Sequence, residues 1–70
     1  MYTSEIHFVV EEAPEGGYIA RAVSENIFTE ADDIPGLHAR VRDAVCCHFD
    51  DGNVPGLIRL HFTREEVIVL

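Results

Sequence analysis

The chain has no lysine, and its only cysteines, Cys46 and Cys47, are adjacent. With no lysine, five arginines face 13 carboxylates, and the net charge is −8. Such a surface cannot neutralise a run of phosphates, so direct nucleic-acid binding is not expected. Adjacent cysteines rarely bridge each other, and a disulfide framework needs separated ones. A reduced, cytoplasmic setting is the simplest expectation. No stretch approaches the roughly 18 apolar residues that span a membrane. Residues 1–12 lack the basic start and long apolar run of a signal peptide. At 70 residues the chain has room for one domain, expected over residues 1–70 without a separate DNA-binding domain. A domain of this size buries only about 60% of its unfolded surface, so a partner or a second copy would support its core.

What is present is an ordinary globular composition, 47% apolar and 26% charged. Ile6, Phe8 and Val10 alternate with His7, Val9 and Glu11, the period of a strand. Pro14, Gly16 and Gly17 mark a turn. Tyr18 to Val23 then reads as a second, antiparallel strand, with Tyr18, Ala20 and Ala22 on one face. The small alanines predict a helix packed close over that face. Ile27 to Glu30 is a short third strand. Asp32 or Asp33 can cap a helix, Pro35 is tolerated in its first turn, and Gly36 weakens that turn by about 1 kcal/mol relative to alanine. The stripe Ile34, Leu37, Val41, Ala44, Val45 and His48 gives the helix one inward face. Leu57 to Phe62 alternates again as a fourth strand, and Val67 to Leu70 is an apolar tail able to form a short C-terminal strand or an arm for a second copy. The expected fold is α+β, an antiparallel β-β-β-α-β sheet with one helix packed on one face. The other face is expected to carry Val9, Ile19 and Ile27, apolar surface for self-association or a partner to cover.

Little of this chain suits catalysis, and it is not expected to be an enzyme or to hold a cofactor. His38 and His48 lie ten residues apart on one helix, about 15 Å, too far to share a metal. His7 and His61 could meet across neighbouring strands, but no cysteine or carboxylate is fixed beside them by spacing. No metal site is therefore expected, though a deep pocket lined by these two residues would favour a small enzyme. Cys46 and Cys47, late in the helix, are expected as core filler, since a reactive thiol needs a helix N-terminus or a nearby cation. The pairs Glu11-Glu12, Asp50-Asp51 and Glu65-Glu66 are sequence neighbours at strand ends or in loops, not carboxylates facing each other across a substrate. An acidic surface does suit a basic protein partner, and it also keeps a small protein soluble.

Several of these segments together resemble a known family. An acidic strand end, then Glu15-Gly16-Gly17-Tyr18-Ile19-Ala20, then Ile27-Phe28-Thr29, then a helix containing Val41-Arg42-Asp43-Ala44-Val45, resembles the HicB-like antitoxins in their short, single-domain form. Ile58-Arg59-Leu60-His61-Phe62, an acidic pair and an apolar tail match the same pattern, so the likeness runs over nearly the whole chain. It implies a trimmed ribonuclease-H-like sheet without nuclease activity. It also implies a partner, a small basic HicA-like toxin that cleaves mRNA with a catalytic histidine. The chain departs from the family at Ile34-Pro35-Gly36-Leu37, where an acidic, leucine-rich helix start is expected. Glu11, Glu12, Glu15, Asp50 and Asp51 are the expected acidic contacts. The alternative is a homo-oligomeric structural or regulatory module, a dimer or larger.

Overall fold

A computed structural model describes residues 4–70. Three strands, β1 (Glu5–Glu12), β2 (Tyr18–Ala22) and β3 (Phe28–Ala31), are followed by α1 (Ile34–His48) and β4 (Leu57–Phe62). The expected β-β-β-α-β order, with one helix on one face, is found. The sheet order is β3-β2-β1-β4. The first three strands form an antiparallel meander. β4 runs parallel to β1, with Ile6 beside Ile58, Phe8 beside Leu60 and Val10 beside Phe62. The sheet is thus mixed, not antiparallel throughout as expected: α1 carries the chain back along the sheet, so β4 starts from the end where β1 started.

The core is wholly apolar. Ile6, Phe8 and Val10 of β1, Ala20 and Ala22 of β2, and Ile27 meet Leu37, Val41 and Val45 of α1. No charged or polar residue is buried among the described residues. Ala20 is fully covered, as expected where a helix approaches a strand closely. The helix lies over β2 and β3, while Ile58 and Leu60 of β4 only flank the core and stay half-buried.

Two expectations about facing are corrected. Ile27 belongs to the core, and the next residue, Phe28, stands 61% exposed on the other face. The alternation of β3, with Thr29 paired to the buried Ala20 and Phe28 paired to Arg21, leaves Ile27 no other side. Cys46, Cys47 and His48 are all exposed rather than inward. Leu37, Val41 and Val45 define the buried stripe, and at 100° per residue the two positions after Val45 rotate out of it. Val67–Leu70 forms no strand and lies in solvent.

Asp33 caps the helix, and its Oδ1 accepts from the Gly36 N–H at 2.7 Å. A Cβ on Gly36 would stand 2.8 Å from that same oxygen, so the glycine that weakens the turn also leaves room for its cap. Gly17, in the β1–β2 turn, has φ +83°, and a Cβ there would lie 2.7 Å from the Ala31 carbonyl oxygen of β3. Gly16 also has positive φ but faces open space. Gly17→Ala is expected to destabilise the fold clearly more than Gly16→Ala, because it adds a backbone clash to a shared conformational cost. Leu37→Ala, at a fully buried site, is expected to cost about 2–5 kcal/mol. Urea unfolding of the three variants beside the parent checks both statements.

Candidate functional site

Two surfaces carry functional groups. The first is one end of the sheet. β1 finishes there at Glu11 and Glu12, the turn follows through Glu15, and β3 leads into Asp32 and the cap Asp33. A shallow groove on this end is lined by Glu15, Tyr18, Glu30, Asp32 and Arg40. A neighbouring groove is lined by Glu11, Glu12, Thr63, Arg64 and Glu65. Thr63 is anchored there, its N–H and hydroxyl both donating to the Val10 carbonyl at 2.8 and 3.1 Å. Carboxylates from four separate segments thus converge, with Arg40 and Arg64 the cations lining the two grooves. Glu11 is tied by a 3.3 Å exposed ion pair to Arg21, and Asp33 by the Gly36 N–H at the helix start.

Of the five acidic residues singled out from sequence, the structure brings Glu11, Glu12 and Glu15 together at this end. Asp50 and Asp51 lie beyond the far end of α1. There His48 meets Glu25 of the β2–β3 connection at 3.3 Å, and Gly56 donates to Ser4 just before β1. The 15-residue helix separates the two groups by about 22 Å. Glu30, Asp32 and Glu65 join the acidic end instead. Sequence reading missed them because only the strand register places them beside the first turn.

The second surface is the open face of the β1–β4 pair. His7 Nδ1 lies 2.8 Å from His61 Nε2. The ring centroids are 5.1 Å apart and the rings 16° from parallel, so with the nitrogens between them they meet edge to edge, not face to face. On the other side of His7, Nε2 lies 3.4 Å from Glu5 Oε2, and Glu5 Oε1 accepts from Arg59 at 3.0 Å. Arg59, Glu5, His7 and His61 thus line up along this face, with hydrogen bonds at Arg59–Glu5 and His7–His61 and a longer charge contact between Glu5 and His7. Arg59 holds the Glu5 carboxyl below its usual range, chiefly through this hydrogen bond, and the Arg59 guanidinium is raised in return.

The meeting of His7 and His61 was legible in the alternation of the strands, but Glu5 was not. The signal lay in Glu5 and His7, and Arg59 and His61, each two apart on one strand face. The parallel register then sets Glu5 next to Leu57 and His7 next to Arg59. Neither groove described above takes in the histidine pair. Among the described residues no three histidine, cysteine or carboxylate side chains are grouped to hold a metal, and no helix is long and apolar enough to cross a membrane.

Comparison with known proteins places the chain. A UPF0150 protein of Thermotoga maritima is 36% identical over 66 residues, covering 94% of this chain and 93% of its own. The chain belongs to the UPF0150 family. A UPF0150 protein of Archaeoglobus fulgidus is 48% identical over 50 residues, 71% of this chain and 74% of its own. No family model matches, and no solved structure matches. The first of these UPF0150 relatives matches almost end to end, so the likeness extends over both surfaces described above.

A folded-state depression of a carboxyl contributes stability above the unfolded midpoint, and that contribution is lost as pH falls through the folded one. Glu5 therefore favours the fold at neutral pH and stops doing so in acid. Arg59→Met is expected to move the Glu5 midpoint upward, and His7→Gln to move it less, because the arginine is the larger cause. Carboxyl-carbon NMR titration of Glu5 in the two variants measures both shifts.

Proposed function

We propose that this protein is an antitoxin-type binding protein of the HicB-like kind, acting in the cytoplasm by capping a small basic HicA-like toxin that cleaves mRNA. The observation that carries the reading is the convergence of Glu11, Glu12, Glu15, Glu30, Asp32 and Glu65 around two shallow grooves at one end of the sheet. A toxin that grips RNA must present cations where phosphates go, and this end offers carboxylates in their place. The segment pattern shared with short HicB-like antitoxins supports the same partner. No bond is made or broken in this function. The antitoxin acts by occupying the RNA path and keeping substrate from the toxin's catalytic histidine.

The acidic contacts are then Glu11, Glu12 and Glu15, with Glu30, Asp32 and Glu65 beside them. Asp50 and Asp51, a helix length away, lie outside a single compact interface at this end. Exposed charges at an interface rim act mainly on the encounter rate and are screened by salt. Calorimetric titration against a HicA-like toxin inactivated at its histidine tests the reading. Tight binding that weakens with salt is expected, and absence of binding overturns it. Within a binding pair, Glu11→Lys with Glu12→Lys is expected to slow association at least about tenfold at low salt, while Asp50→Lys with Asp51→Lys leaves it nearly unchanged. Stopped-flow mixing at two ionic strengths separates the two variants.

The homo-oligomeric module is the second reading, favoured by the fully exposed apolar tail Val67–Leu70. Its structural basis, taken up next, shares Arg64 and Glu65 with the second acidic groove but leaves the groove lined by Glu15, Glu30 and Asp32 free.

A further inference from the structure

The apolar tail and the outer edge of β4 each lack something the other supplies. Val67, Ile68 and Val69 are 75%, 82% and 90% exposed, and Leu70 is fully exposed. The radius of gyration is 13.7 Å and the molecule is 52 Å long but only 22 × 20 Å across. A compact chain of this length has a radius of about 11 Å, so the tail projects from the body. β4 is an end strand of the sheet, and among the described residues its outer N–H and C=O groups have no strand partner. The side chains it turns to the helix side are Ile58, Leu60 and Phe62, which pair with Ile6, Phe8 and Val10. The helix lies over β2 and β3, so this row remains a half-open apolar rim, with Phe62 51% exposed.

We propose that two copies of this chain join at these edges: β4 and the tail of one copy form a continuous strand that pairs antiparallel with the same strand of the partner about a twofold axis. Four observations select a second copy as the occupant. The tail does not fold back to pair with its own β4, since residues 63–70 form no strand. The Arg64–Glu66 ion pair, 3.1 Å, puts residues two apart on one side of the backbone, as in a strand that continues outward. β4 itself carries no carboxylate, and Arg59 and His61 stand on it, so this strand adds no repulsion of its own between copies of net charge −8. The opposite edge, β3, is shorter and runs into Asp32 and Asp33.

Alternation fixes the register. Continuing β4 outward brings Arg64, Glu66, Ile68 and Leu70 to the helix side with Ile58, Leu60 and Phe62, and Val67 and Val69 to the open side. With the axis at Arg64, Leu60 lies opposite the partner's Ile68, and Ile58 opposite the partner's Leu70. Each tail then covers Ile58 and Leu60 of the partner's rim, and Glu66, opposite the partner's Phe62, reaches the partner's Arg64 diagonally and offsets the facing of the two Arg64 side chains on the axis. Such an interface is self-complementary, as a twofold dimer requires.

Sedimentation equilibrium of the full chain is expected to give a dimer at micromolar concentration. Ile68→Asp is expected to weaken it at least tenfold, and Val69→Asp, on the open side, clearly less. The tail lies outside the core, so the helical circular-dichroism signal and the thermal unfolding of the body should be kept in both variants. In a Cys46→Ser, Cys47→Ser background, a Leu60→Cys copy mixed with an Ile68→Cys copy should form a reducible cross-linked dimer. A monomer at all concentrations, a dimer indifferent to Ile68→Asp, or failure of that pair to cross-link each overturns the proposal. None of these outcomes depends on toxin binding.

Discussion

The close seating of α1 over the alanines of β2 governs much of the rest. Ala20 and Ala22 leave no side chain to hold the helix away, and Leu37, Val41 and Val45 settle against them and against Phe8 and Val10. A helix drawn toward β2 and β3 cannot also roof β4. The half-covered row Ile58, Leu60 and Phe62 is the direct result. Two small residues on one strand therefore decide where apolar surface is left for something else to cover.

Charge is distributed as unevenly as packing. The ends of β1 and β3, the first turn and Glu65 crowd carboxylates together, while the β1–β4 face lines up Arg59, Glu5, His7 and His61 in close polar contact. Exposed ion pairs of this kind add little stability. Their effect is to order the outer face. Val9 pairs with Arg21 on one side and His61 on the other, so its half-buried side chain sits between long polar ones. The face expected to be an apolar patch around Val9, Ile19 and Ile27 is thus largely a polar one, with Ile27 gone to the core and Phe28 standing out at its margin.

Local rules made most of the fold legible. Alternation located all four strands within a few residues, and the Asp33 cap, Pro35 and the 37-41-45 stripe located the helix. What escaped was set by distance along the chain. The direction of β4 follows from the return path of the helix, and no property of Leu57–Phe62 itself announces it. Glu5 entered the histidine pair only through that parallel register. The cysteines misled because a hydrophobic residue type was weighed above its angle on the helix, where Cys46 and Cys47 follow the buried Val45 and turn outward. The acidic end was half legible: Glu11, Glu12 and Glu15 are neighbours in sequence, whereas Glu30, Asp32 and Glu65 arrive by tertiary folding.

The pairing of the first strand with the fourth has a consequence for how the chain is made. β1 is central, yet one of its two neighbours does not exist until the ribosome has passed residue 62, and His7 and His61 are 54 positions apart. During synthesis β1 can pair with β2 while its other edge stays bare, carrying Ile6, Phe8 and Val10 beside it. Contacts this distant in sequence slow folding and lengthen the exposure of that edge. The nascent chain is therefore most open to aggregation, or to capture by a chaperone, in the interval between translation of the helix and release of β4 from the exit tunnel.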